Sequence, residues 1–195
     1  MTNLLCESTD LDVGEGGFTL IELLVVMLVI SILLAIAIPT FFGVISTSKD
    51  TAAESNTTNV LILAQTIYTK NVGQYLDTSS MVNNLATGSS GLTFTSGAST
   101  SENQVSIVTG TSGSATFYSY VSIADLSGNG NCFHIVSTLQ PISLYLGSSG
   151  PTTYDKGTWY AYEQAPSSGS LTCSASSPFS STTTAWKGWS GHGFP

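Results

Sequence analysis

Residues 17–42 read GFTLIELLVVMLVISILLAIAIPTFF, and this stretch decides how the rest of the chain is interpreted. No charged side chain occurs from residue 23 to residue 45. As a helix with a rise of 1.5 Å per residue, this segment would be about 34 Å long, enough to cross a hydrocarbon core of about 30 Å. The pattern therefore predicts a membrane-spanning helix. The alternative is a buried helix of a globular protein, which would need partner helices that the remaining sequence does not offer.

The stretch contains a single carboxylate, Glu22. A carboxylate near the start of a lipid-embedded helix costs a few kcal/mol unless it is paired, so Glu22 is a functional candidate. The alternative is that its side chain reaches the membrane surface, because it lies only about 6 Å along the axis from residue 18. If the chain were cut after Gly17, Phe18 would gain an α-amino group. That amine could neutralise Glu22 of a neighbouring subunit.

The order of the N-terminal segments differs from that of a secretory signal. A secretory signal starts with Lys or Arg and ends its apolar segment at a cleavage site. Here the polar residues 1–17 come first, end in a glycine pair and are followed by the apolar segment. Cleavage after Gly17 would therefore keep the hydrophobic helix in the mature protein.

The quoted stretch resembles the N-terminus of bacterial type IV pilins and of the related pseudopilins. Four features match at the family's spacing: a glycine before Phe18, the lone Glu22, an unbroken apolar helix and Pro39. The resemblance implies an α+β pilin fold. In that fold a long N-terminal helix, hydrophobic in its first half and amphipathic in its second, packs on a C-terminal antiparallel β-sheet.

The resemblance also assigns roles to individual residues. It implies cleavage by a prepilin peptidase between Gly17 and Phe18, N-methylation of Phe18, and a role for Glu22 in docking the subunit during assembly. Pro39 lacks an N–H and clashes with the preceding turn, so a kink or a break of the helix is expected there.

These observations divide the chain into four expected segments. They are a cleaved prepilin leader at 1–17, a hydrophobic transmembrane and fibre-core helix at 18–50, its amphipathic continuation at 51–75 and a globular β-rich head domain at 76–195. Apolar residues keep helical spacing to about residue 75, and strand-like segments separated by Gly and Ser follow from about residue 90. The leader has four acidic residues and no Lys or Arg, unlike the short basic leaders of the family.

The cysteines and one sequon supply further candidate sites. Cys6 lies in the leader, which leaves Cys132 and Cys173 as a pair in the mature chain. We predict a disulfide between them, which suits a domain outside the cell; two free thiols are the alternative. The sequon that begins at Asn56 makes this residue a possible glycosylation site, although short sequons also arise by chance.

Composition and motifs argue against two classes of function. The 195 residues include four Lys, no Arg and twelve acidic residues, a formal net charge of −8, so binding to nucleic acid through a basic surface is not expected. The sequence contains no G-x-S-x-G, H-E-x-x-H, C-x-x-C or glycine-rich phosphate loop. His134 and His192 are too few for a typical zinc site without other ligands. We therefore predict no enzyme, no catalytic residues, no metal and no cofactor.

The resemblance implies a structural subunit that polymerises into a type IV pilus filament through its N-terminal hydrophobic helix. Its expected partners are copies of itself in a helical filament, the prepilin peptidase, the pilus assembly machinery and, before assembly, membrane lipid. It would be a single-pass protein of the cytoplasmic membrane first and part of an extracellular filament afterwards. Two alternatives stay open: a pseudopilin of a type II secretion or competence system, and a monomeric membrane-anchored surface binding protein.

Overall fold

The structure, a computed structural model, describes residues 17–89, 91–145, 150–167, 171–179 and 186–194. The expected leader lies outside the described residues except for Gly17. The described residues divide into two compact units, the first ending at Gly43 and the second beginning at Val44. Helix α1 (Leu20–Lys70) runs from the first unit into the second.

All other elements lie in the second unit. They are α2 (Thr78–Gly88), β1 (Thr93–Thr95), β2 (Gln104–Gly110), β3 (Tyr120–Leu126), β4 (Cys132–Thr138), β5 (Ile142–Tyr145), β6 (Pro151–Tyr154), β7 (Gly157–Glu163), a 3-10 helix (Ser177–Phe179) and β8 (Trp186–Ser190). Six strands form one sheet in the order β1-β2-β3-β4-β7-β8, and β5 and β6 form a separate antiparallel pair.

The part of α1 in the first unit is helical throughout, including at Pro39. The break that the sequence allowed there is not found, and the kink stays a prediction. The Thr40 hydroxyl donates to the carbonyl of Ala37 at 2.9 Å, and the Ser31 hydroxyl donates to that of Met27 at 2.7 Å. Such bonds to the preceding turn satisfy hydroxyl groups inside an apolar helix.

The part of α1 in the second unit buries one face against the sheet. Its buried residues are Ala53, Thr57, Val60, Leu61 and Ala64, at spacings of three and four that place them on one side of a helix. The core between helix and sheet is completed by Met81 and Leu85 of α2 and by inward-facing side chains of β2, β3 and β4, among them Ile107, Ile123 and Ile135. The amphipathic continuation of the helix therefore provides one wall of the core.

The sheet is mostly antiparallel, which confirms the predicted α+β fold. Strands β3 and β4 form a hairpin whose turn is closed by hydrogen bonds from Ser127 N to Asn131 O and from Gly130 N to Ser127 O. Gly130 has φ +83°, a conformation that a side chain would strain. One pair departs from the expected pattern, because the three-residue edge strand β1 runs parallel to β2.

Helix α1 ends in a Schellman motif that contains an unusual residue. Gly73 N donates to Tyr68 O at 3.1 Å, which places Val72 at the position where the backbone turns left-handed. Val72 has φ +55° and is 92% exposed. A β-branched side chain is unfavourable in this conformation, and Gly is the usual residue.

We expect Val72→Gly to raise the free energy of unfolding of the second unit by about 1 kcal/mol, because it relieves this backbone strain. The measurement is urea unfolding of the full chain in detergent, followed by near-ultraviolet circular dichroism. Val72→Ala keeps a side chain in the strained conformation and should give a clearly smaller gain. A loss of stability in the glycine variant would contradict the assignment.

Candidate processing and assembly site

The first unit begins with a reciprocal set of hydrogen bonds between Thr19 and Glu22. Thr19 N and Thr19 Oγ1 donate to Glu22 Oε2 at 2.9 and 2.8 Å, and Glu22 N donates to Thr19 Oγ1 at 3.3 Å. This is a capping box, in which two residues three positions apart satisfy each other's free N–H groups at a helix start. The Glu22 carboxylate is therefore fixed over the first turn of α1.

The sequence reasoning missed Thr19. The pattern T-x-x-E directly before an apolar run is a readable signal for a capping box, and it was present in the sequence. Among the described residues, Glu22 Oε1 has no hydrogen-bond partner. One oxygen of the carboxylate thus caps its own helix while the other is available to a group from outside.

The two residues expected to flank the cleavage site lie just before this cap. Gly17 and Phe18 precede the first helical residue, Leu20, and Phe18 is 87% exposed. No heavy atom of a non-neighbouring residue lies within 4 Å of the position that a Cβ of Gly17 would occupy. Within the described residues, the bond between Gly17 and Phe18 is thus sterically accessible, and Phe18 lies one residue before the capping threonine.

Every large apolar side chain of α1 from Leu20 to Phe42 is exposed. Within the described residues α1 is the one helix long and apolar enough to cross a membrane, by length and composition. Full burial of one such side chain is worth about 1.5–3 kcal/mol. An exposed apolar surface of this size is typical of a membrane-spanning or protein-binding surface.

Apart from Pro39, which lies in the first unit, the remaining predicted site residues lie in the second unit. Cys132 and Cys173 are joined by a disulfide with their Cα atoms 5.4 Å apart, and both cysteines are completely buried. The bond ties the segment around Cys173 to the first residue of β4, and Ser99 N donates to Cys173 O at 2.7 Å beside it.

Asn56 takes part in a contact between α1 and the sheet. Its Nδ2, the atom to which a sugar would be attached, donates to Asp125 Oδ2 of β3 at 3.0 Å. A glycan on Asn56 would replace one of the two Nδ2 hydrogens, so this hydrogen bond could then be made only by the other one. Asp125 Oδ1 is buried and has no hydrogen-bond partner among the described residues.

Burial raises the pKa of Asp125 from 3.8 to about 7, against the opposing effect of the hydrogen bond from Asn56. Folding therefore favours the protonated form of the Asp125 carboxyl. The stability that Asp125 contributes is fully present below about pH 4 and is lost as the pH rises through 7. The difference of about three pKa units corresponds to a fall of roughly 4 kcal/mol in the free energy of unfolding over this range.

Asp125→Asn should remove that pH dependence and make the protein more stable than the original chain at pH 7 and above. Urea unfolding of the full chain in detergent at pH 4, 5.5 and 7.5 measures it. The exposed Asp155 gives the matched control, since Asp155→Asn should leave the slope unchanged. An unchanged slope in Asp125→Asn would show that burial does not perturb this carboxyl.

Both histidines of the sequence lie in the described part of the second unit. His192 lies in the bend after β8 and is exposed, whereas His134 lies on β4 and is completely buried. Burial lowers the pKa of His134 to about 3, so its imidazole is neutral at physiological pH. Because the side chain is buried, His134 does not line a cleft that a substrate could enter.

A comparison with protein-family models matches residues 14–38 to the prokaryotic N-terminal methylation motif. Comparisons with curated proteins and with solved structures gave no match. The motif points to a structural subunit and implies processing by a prepilin peptidase and assembly into filaments. Together with the apolar helix it is consistent with membrane anchoring before assembly. The matched segment contains Gly17, Phe18, the capping box and most of the exposed apolar surface, so the chain carries the N-terminal signature of type IV pilins and pseudopilins.

Proposed function

We propose that this chain is a structural pilin subunit that polymerises into a type IV pilus filament after prepilin processing. The observation that carries the proposal is an exposed, charge-free helix that directly follows an accessible Gly17–Phe18 bond and a Glu22 carboxylate. In lipid the apolar side chains are solvated by acyl chains. In a filament the same side chains pack against other copies, so the subunit leaves the membrane without exposing them to water.

Processing would create the amino group with which Glu22 could pair. Cleavage after Gly17 would give Phe18 a positively charged amine. N-methylation would not remove that charge. An amine and a carboxylate that are both removed from water must be paired, because a lone charge among apolar helices costs several kcal/mol. Glu22 Oε1 is the acceptor that supports pairing with the amine of a neighbouring subunit.

The second unit would form the filament exterior. It has its own core and a disulfide, which suits a domain that must stay folded outside the cell. Before assembly the subunit would be a single-pass protein of the cytoplasmic membrane. No cofactor is needed for polymerisation, and roles such as adhesion or motility would depend on partners outside this chain.

Electron microscopy of sheared surface material, labelled with an antibody against the second unit, tests the proposal. Long labelled filaments are expected. Short labelled filaments confined to the envelope would instead identify a pseudopilin of a secretion or competence system. Labelled membranes without any filament would indicate a monomeric anchored surface protein and would overturn the proposal.

A further inference from the structure

Four potential metal ligands meet in the interior of the second unit. Cys132 and His134 are two residues apart on β4, so their side chains share one face of the sheet. Glu163, the last residue of β7, is the register partner of Cys132. Cys173 joins them through the disulfide. All four residues are buried, and none is more than 1% exposed.

The donor atoms of these residues are close together. His134 Nε2 lies 3.0 Å from Cys132 Sγ and 4.0 Å from Glu163 Oε2. The ligand atoms of Cys132, His134 and Cys173 all lie within 4.8 Å of one another. Thiolate, imidazole and carboxylate are the ligand types found in four-coordinate zinc sites.

We propose that the reduced chain binds one Zn²⁺ ion through Cys132, Cys173, His134 and Glu163, and that disulfide formation expels it. This site is independent of the proposed filament function. It departs from the expectation of no metal, because the number of histidines in a sequence does not show that Glu163 and both cysteines lie beside His134.

The distances are compatible with such a site. In a tetrahedron with Zn–S bonds of about 2.3 Å and Zn–N and Zn–O bonds of about 2.1 Å, nitrogen lies about 3.5 Å from sulfur and from oxygen. The observed 3.0 and 4.0 Å differ from this by about half an ångström, within the reach of small side-chain rotations. The two sulfurs must separate to about 3.8 Å, which reduction of the disulfide allows.

The charge of the buried site also favours a divalent ion. When Zn²⁺ replaces the two thiol protons, the two thiols become thiolates with one negative charge each. The ion brings two positive charges, so the net charge of the interior does not change. A buried change in net charge would cost several kcal/mol, and this exchange avoids it. In this site the His134 and Glu163 side chains next to the sulfurs would serve as zinc ligands.

Zinc binding by the thiolates and the disulfide exclude each other, because both require the Sγ atoms of Cys132 and Cys173. Oxidation of the zinc-bound form removes two electrons from the two thiolates, forms the Sγ–Sγ bond and releases Zn²⁺. The acceptor is a disulfide of the thiol oxidoreductase class, which takes the electrons and two protons and becomes a dithiol. A newly made chain would hold zinc until such an oxidant reaches it.

The test uses the full chain in detergent with Cys6→Ser, so that no leader thiol contributes. The chain is reduced with a phosphine, which takes oxygen from water and leaves two thiols, and is titrated with Co²⁺ without oxygen. We expect one Co²⁺ per chain, with thiolate charge-transfer absorption and the strong visible bands of tetrahedral Co²⁺, and displacement by Zn²⁺. The oxidised chain should bind none.

Variants and kinetics complete the design. Glu163→Gln should weaken zinc binding about tenfold or more, while His192→Ala, the exposed histidine, should not change it. Zinc-loaded reduced chain should also form its disulfide more slowly than metal-free chain. The proposal is overturned if reduced wild-type chain binds no Co²⁺ through thiolates, or if Glu163→Gln leaves both affinity and spectrum unchanged.

Discussion

Glu22→Ala is expected to lower the incorporation of this subunit into filaments about tenfold or more, while its insertion into the membrane is unchanged. Removing the carboxylate leaves the amine of Phe18 unpaired among apolar helices, and breaking a buried pair costs about 3–5 kcal/mol. In lipid the substitution removes a charge that is unfavourable there, so insertion of the subunit into the membrane is not impaired. The ratio of subunit in sheared filaments to subunit in membranes, measured by immunoblot, gives the effect.

The capping box makes it possible to separate the capping role of Glu22 from its proposed role in charge pairing. Gln also serves at the N3 position of a capping box but carries no charge, so Glu22→Gln should keep the helix start and still fail to assemble. Thr19→Val removes the cap at a cost of about 1 kcal/mol and should have a small effect on assembly. Glu54→Ala, an exposed carboxylate on the same helix, is the control for charge removal. Normal filament yield from Glu22→Gln would refute the proposed charge pairing.

Loss of the disulfide should be the second large effect. Cys132→Ala combined with Cys173→Ala is expected to lower the free energy of unfolding of the second unit by about 4 kcal/mol in the chain-entropy model. The two cysteines are 41 residues apart, so the bond removes much of the freedom of the unfolded chain. Urea unfolding of the full chain in detergent measures the loss.

The control for the disulfide is Cys6→Ser in the leader, which should not change stability. Thiol titration supplies an independent check: subunit from filaments, denatured without reductant, should contain no free thiol. Two free thiols per subunit would show that the bond does not form in the native protein, and the expected loss of stability would then not apply.

The parts of the fold that the sequence predicted are those set by local patterns. Helix α1 follows from an apolar run without charges and then from apolar residues at spacings of three and four. The β3–β4 hairpin follows from a Gly- and Asn-rich turn between two apolar strands. Helix α2 was missed because it buries only Met81 and Leu85, although Asp77 at its start is a recognisable cap that accepts from Ser80 N.

The parts that the sequence did not predict depend on partners far away in the chain. The parallel pairing of β1 with β2 and the addition of β8 to β7 are set by packing of the whole sheet. The contact between Asn56 and Asp125 joins residues 69 positions apart. No local pattern indicates that contact, or that the His134 and Glu163 side chains share a buried space with the disulfide.

Intact-mass and N-terminal analysis of subunits from sheared filaments tests whether a processed chain packs its apolar helix in a filament. We expect a chain of 178 residues, the 195-residue sequence without its first 17, that begins with N-methylated Phe18. Native material consisting of an uncut, water-soluble monomer would contradict it.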